Sequence, residues 1–254
     1  MKPLRPFLIA LQFLTCFPVR LKSMPEEREL GHSLLYYPLV GLLIGLSLAA
    51  LAWALADAAP PLRAALLLAA WVLASGALHL DGLADSADAW AGGLGDRERT
   101  LAIMKDPYCG PMGVAALLLA LLLKFAALEE LVARGDWIVL MLAPLLARSA
   151  LPALFLTTPY VRPGGLGDVL ARCLPRRAAA VAVLTVLLVL PAALGMSVLW
   201  PLAAALGAFA GLRALMMRRL GGATGDTAGA MVEIIETVVL VAAALASPIH
   251  AAMR

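Results

Sequence analysis

The sequence predicts an all-α fold, a polytopic integral membrane helical bundle of about seven transmembrane helices, with its N-terminus in the cytoplasm. Three observations predict it. Of 254 residues, 63% are hydrophobic and 15% charged, against roughly 45–50% and 25% in soluble domains. The mean hydropathy is +0.92. Charge-poor segments near the ~20 residues that span a bilayer recur along the chain. Residues 1–254 are expected to form one membrane-embedded domain.

The elements follow in order. Residues 1–31 carry Lys2 and Arg5 ahead of the apolar run Phe7–Phe17. The pattern is that of a signal peptide, but Arg20, Lys22 and Pro25 follow in place of a small-x-small site. Eleven apolar residues are too few to cross a bilayer, so a retained interfacial helix is expected. Leu34–Ala56 is the clearest span, and Ala64–Leu80 is a shorter one. Gly110–Leu128 carries Lys124, and Trp137–Thr158 carries Arg148. Ala178–Leu212 is free of charge for 35 residues, too long at ~1.5 Å per residue for a ~30 Å core. It is therefore split into two helices near Gly195–Pro201. Met231–Ile249 is the last span, with Glu233 and Glu236 in its first turns.

The positive-inside rule supports this count. With the N-terminus inside, fifteen of the 20 basic residues fall in cytoplasmic segments. Arg63, Arg134 and Arg254 alone fall outside, and Lys124 and Arg148 lie within spans. The net charge of +3, without a charge-dense tail or basic–aromatic interleaving, argues against nucleic acid as a partner. Cys16, Cys109 and Cys173 are too scattered for a disulfide framework or a zinc site.

The residues that suggest chemistry fall on the cytoplasmic side. In His79-Leu80-Asp81-Gly82-Leu83-Ala84-Asp85-Ser86-Ala87-Asp88, three carboxylates recur at i, i+4 and i+7. At ~100° per residue they share one helix face within roughly 40°. Stacked like charges repel unless a cation lies between them. Hard oxygen ligands of this kind suit Mg²⁺, which completes its shell with water and substrate phosphate; a solvated acidic face is the alternative. Gly92, Gly93, Arg97, Arg99, Lys105, Asp106 and Gly110 follow, the glycines suited to close anion approach and the bases to phosphate. Each of these is also ordinary in a solvated turn or a tight helix contact. A second cluster holds Arg213, Arg218, Arg219, Gly221, Gly222, Thr224, Asp226, Glu233 and Glu236. Asp226 and Glu233 share a face if a helix starts near Asp226, although acids there also simply cap helices. Arg148 within its span needs a carboxylate or a phosphate. His79 is either a packed interface residue or a general base.

These residues resemble the cobalamin 5′-phosphate synthase family (adenosylcobinamide-GDP ribazoletransferases). The resemblance rests on Phe13-Leu14-Thr15, Tyr37-Pro38-Leu39-Val40-Gly41, His79–Asp85, Ile103-Met104-Lys105-Asp106, Gly221-Gly222 and Thr224-Gly225-Asp226. It implies that the 3′-hydroxyl of α-ribazole, or of its 5′-phosphate, attacks the corrinoid phosphate of adenosylcobinamide-GDP and releases GMP. It implies Mg²⁺ held by Asp81, Asp85, Asp88, Asp226 and Glu233, catalytic roles for Asp81, Asp85, Lys105 and His79, and phosphate contacts from the arginines and glycines named above. It further implies the bacterial inner membrane and a cytoplasm-facing site, and is compatible with a homo-oligomer or association with other late cobalamin-pathway enzymes. The alternative, a CDP-alcohol phosphatidyltransferase, has an acidic signature ending GxxxDxxxD that this chain lacks.

Overall fold

The computed structural model describes residues 4–251, with side chains as far as residue 246. Lys2 and Arg254, counted in the charge asymmetry, lie outside the described residues. The described chain is helical, with one isolated parallel bridge between Tyr160 and Ala223. A short α1 (Leu4–Leu14) packs on the bundle through Ile9, Ala10 and Leu14. Next come α2 (Glu27–Ser33), α3 (Tyr37–Ala54), α4 (Pro60–Ser75) and α5 (Leu78–Gly92). After α6 (Arg97–Ile103) run α7 (Pro111–Arg134) and α8 (Trp137–Thr157). The chain closes with α9 (Leu166–Cys173), α10 (Arg176–Leu194), α11 (Leu199–Leu220) and α12 (Gly225–Ala251).

Five helical segments are long and apolar enough to cross a membrane, and α4 with α5 make a sixth, bent by 87°. One of the five is the 45-residue run Arg176–Leu220. That run is a hairpin. Arg176 at its start donates to the carbonyl of Leu156, and Arg213 near its end donates to the carbonyl of Thr157. The chain thus returns to the place it left. It turns at Gly195, whose φ of +68° and ψ of −150° suit glycine almost alone. Counted as two helices, the run brings the spans to the seven expected, the multi-pass architecture of a membrane protein.

The helix ends sort into two groups. At one end Arg63 donates to the carbonyls of Leu55, Ala58 and Val132, and Arg134 to that of Ala244. This end joins the α3–α4 turn, the close of α7 and the late part of α12. The other end gathers the close of α4, all of α5 and α6, the start of α7, the close of α8 and the start of α12. Every stretch that suggested chemistry lies at this second end.

α8 is the core helix, buried from Leu142 to Pro152 without a break. Gly41 and Gly45 let α3 lie directly on it. A Cβ at Gly41 would stand 2.3 Å from the Pro144 carbonyl oxygen, and one at Gly45 2.5 Å from Met141 Cα. Small residues four apart serve this purpose in membrane bundles, where van der Waals contact drives helix association.

Three boundaries differ from expectation. The span placed at Ala64–Leu80 ends at Ser75, because Gly76 and Ala77 both adopt left-handed backbone (φ +59° and +57°) and redirect the chain into α5. The acidic stretch is therefore a separate helix. α7 runs on to Arg134, past Leu128, since Glu129 and Glu130 are tolerated at its emerging end. The last helix starts at Gly225, not Met231, so Glu233 and Glu236 lie in its third and fourth turns and not its first.

Candidate active site

Asp81, Asp85 and Asp88 fall on one side of α5 as the spacing requires, and the packing of α5 on α12 supplies the fourth acid. A Cβ at Gly82 would stand 2.6 Å from the carbonyl oxygen of Asp226 and 3.2 Å from Gly229 Cα. Only glycine permits this crossing, which sets Asp81 and Asp85 beside the first turn of α12. Asp85 lies within the electrostatic reach of Asp81, Asp226, Arg162 and Asp88. Asp226 in turn feels Arg162 and Asp81.

Arg162 is the cation of this group, and sequence reasoning missed it. Its Nη1 donates to Asp226 Oδ2 at 2.8 Å and its Nη2 to the Met104 carbonyl at 3.3 Å. A backbone clasp puts it there. Val161 N–H donates to the Ala223 carbonyl at 2.9 Å, and Ala223 N–H to the Pro159 carbonyl at 2.8 Å. The partners are 64 residues apart, so the only signals were a basic residue and the Gly164–Gly167 turn. Four carboxylates against one guanidinium leave a formal excess of three negative charges.

Asp81, Asp226, Arg162 and His79 help to line a cavity of about 320 Å³. Much of the remaining lining is apolar, with Phe13, Tyr37, Leu151, Phe155 and Leu170 among its members. Tyr160 lines it as well. Desolvation raises its phenol above the ordinary range, with Arg162 beside it opposing. Desolvation, and then the negative charges of Asp88, Asp85 and Asp81, push the Cys109 thiol up.

Several expected site residues have other partners. Asp88 accepts the N–H of Gly110 at 2.6 Å and that of Gly113 at 2.8 Å, capping α7. The anion at this helix start is thus the protein's own, and the Gly110 N–H is taken. Gly92 and Gly93 make room for Ile103 and Thr100 of α6. Gly221 (φ +73°) ends α11, and Gly222 lets the Pro159 carbonyl approach. Thr224 is fully buried and exchanges capping bonds with Thr227 at the start of α12. Arg97 donates to the Leu220 carbonyl, Arg219 to that of Trp90 and Arg213 to that of Thr157. These arginines tie α5, α6, α8 and α11 together at this end; Arg99, Arg218 and Lys105 are exposed there. Asp106 accepts the Tyr108 N–H at 3.0 Å.

Arg148 and Glu233 lie apart from the aspartate group. Arg148 has the carboxylate that its place within a span calls for, whereas Glu233, expected at the metal, is met by a buried lysine. Glu233 pairs with Lys124, whose Nζ also reaches Glu236 at 2.6 Å. Arg148 pairs with Glu236, which accepts the Trp71 Nε1–H at 3.2 Å as well. All four charged groups are at most 4% exposed. Two cations and two anions make a neutral, closed cluster beneath the cavity. His79 joins the two regions. It lines the cavity, and its Nδ1 stands 3.5 Å from Arg148 Nη2. An arginine has no lone pair to offer, so this contact makes Nδ1 an acceptor and leaves the His79 proton on Nε2.

Among the described residues, no three His, Cys, Asp or Glu side chains close into a metal-holding group. The donor chemistry still suits a hard cation that takes one or two carboxylates and completes its shell with water and phosphate.

The profile of the family described as cobalamin-5-phosphate synthase matches residues 6–244. A protein named adenosylcobinamide-GDP ribazoletransferase from Pseudomonas putida (strain W619) is 61% identical over 242 residues, 95% of this chain and 99% of the relative. Proteins of the same name from Pseudomonas entomophila (strain L48) and Pseudomonas aeruginosa (strain PAO1) are 60% and 59% identical, covering 94% and 95% of this chain and 98% of each relative. No solved structure matches.

Proposed function

The chain belongs to the cobalamin-5-phosphate synthase family, and on that premise we propose that it performs the transfer for which its relatives are named. The 3′-hydroxyl of α-ribazole, free or 5′-phosphorylated, attacks the phosphorus nearest the corrinoid in adenosylcobinamide-GDP. A new P–O bond forms, the phosphoanhydride bond breaks, and GMP leaves with the bridging oxygen. The hydroxyl proton passes to a carboxylate of the cavity wall, where Asp81 and Asp226 stand. Phosphoryl transfer of this kind is driven mainly by positioning and charge neutralisation.

The observation that carries this reading is the open excess of negative charge around Asp85, in contrast to the buried Glu233 and Glu236, each of which is paired with a cation. Asp81, Asp85 and Asp226 would hold Mg²⁺, with Asp88 set by its capping role to support the group. When bound, the ion would offset the negative charge of the diphosphate and of the leaving oxygen. Arg162 holds Asp226 in place at the cavity lining. Arg99, Arg218 and Lys105, free of protein anions in the described contacts, would draw the nucleotide to the mouth. We place that mouth on the cytoplasmic face of the inner membrane, where the basic loops point under the positive-inside rule.

The test is GMP release by the detergent-solubilised protein given adenosylcobinamide-GDP and α-ribazole. The reading predicts release that requires α-ribazole and is lost on chelation of divalent ions. Release without acceptor, or transfer from a CDP-lipid instead, would contradict it.

A further inference from the structure

We propose that the aromatic part of the cavity lining, two stacked ring pairs, is the seat of the acceptor's base and selects a planar, fused-ring base. The proposal deepens the transfer described above and rests on it.

Only 6% of the chain is aromatic, yet four aromatic rings line this one cavity. Phe13 of α1 stacks on Tyr37 of α3, with centroids 6.3 Å apart and planes 25° from parallel. Phe155 of α8 stacks on Tyr160, at 6.0 Å and 24°. Leu151 and Leu170 line the same cavity. Gly167 is there because the Tyr160 ring lies against its backbone; a Cβ would meet the ring at 2.4 Å.

The rings, with Leu151, Leu166 and Leu170, offer stacking faces and alkyl surface. That selects among the three large groups of the reaction. A corrin with its amide arms is far too large for about 320 Å³. Guanine would bury an edge of donors and acceptors without partners, at a cost of roughly 1–3 kcal/mol for each polar group. A dimethylbenzimidazole has apolar faces and a methylated edge, and stacks favourably with aromatic rings. With that base among the rings, the attached ribose shares the cavity with Asp81 and Asp226.

The experiment measures binding without turnover. Detergent-solubilised protein is titrated with α-ribazole, and with its analogue in which imidazole replaces the fused base, following each by calorimetry. Phe155→Ala and Phe13→Ala are compared with the parent. Phe13 is 39% exposed, so its removal leaves the bundle intact even if Phe155→Ala does not fold. Each variant should weaken α-ribazole about 10-fold or more. The imidazole analogue should change less than about threefold, and KM for adenosylcobinamide-GDP less than about twofold, in keeping with the same limited pocket. Equal losses for both acceptors, or a raised KM for the corrinoid donor with α-ribazole unchanged, would overturn the proposal, as would a parent protein that binds no α-ribazole. A parent that binds α-ribazole through these rings yet releases no GMP would keep the subsite and overturn the transfer.

Discussion

α12 carries acids of two kinds. Asp226 opens the helix at the cavity, among Asp81, Asp85 and Asp88, with Arg162 as the sole cation of that group. Glu233 and Glu236 lie two and three turns further on, and each is answered by a buried cation. One group is open and formally three charges in excess; the other is closed and neutral. A closed, balanced cluster answers its charges from within, and removing one partner strands the other. An open, unbalanced one is tolerable because water or a ligand cation completes it. Balance, not the mere presence of acids near a membrane, separates chemistry from scaffolding in this chain.

The sharpest way to break this contrast is to remove an acid from each group. Asp85→Ala should lower GMP release by about 100-fold or more, the scale of losing one key electrostatic group in a transition state. Its melting temperature in detergent should hold or rise, since a repulsive charge is gone. Glu236→Ala should do the reverse. It leaves Arg148 and part of Lys124 buried without an anion, a loss of roughly 3–5 kcal/mol. The amount of folded protein recovered from membranes should collapse before any kinetic change can be resolved. A well-folded Glu236→Ala with impaired turnover would move Glu236 into the active group.

A double substitution sharpens the point. Lys124→Met alone should destabilise by roughly 3 kcal/mol, because Glu233 is stranded. Lys124→Met with Glu233→Met leaves the Arg148–Glu236 pair balanced and should recover most of that loss in thermal melts. The double variant should also retain GMP release, which a metal-ligand role for Glu233 would forbid. The smallest effect is expected at Asp88. Asp88→Ala removes the acceptor for two N–H groups at the start of α7, worth about 1–2 kcal/mol. Its turnover should fall less than that of Asp85→Ala.

The sequence showed what is local. Spacing placed Asp81, Asp85 and Asp88 on one face, because helix geometry fixes that relation within a single segment. Hydropathy and arginine placement revealed the spans and the hairpin in the long apolar run. Pairings across the bundle were hidden. Nothing near Glu233 says that its charge is met by Lys124, 109 residues away, so it was indistinguishable from Asp226, seven residues earlier on the same face. Arg162 looked like one more loop base until the Tyr160–Ala223 bridge carried it to Asp226. Gly92, Gly93 and Gly110 read as anion loops, but their space is filled by Ile103, Thr100 and Asp88. A glycine reports a close approach without saying what approaches.

The central claim is that the open group around Asp85, and not the closed group around Glu236, takes up a divalent cation. Titration of the detergent-solubilised protein with Mn²⁺, followed by the loss of the free-ion electron paramagnetic resonance signal in the presence of adenosylcobinamide-GDP, tests it directly. The account predicts saturable binding that weakens at least about 10-fold, the loss typical of a missing supporting ligand, in Asp85→Asn and Asp226→Asn and is unchanged in Glu233→Gln. Binding that survives both aspartate substitutions, or disappears with Glu233→Gln, would contradict it.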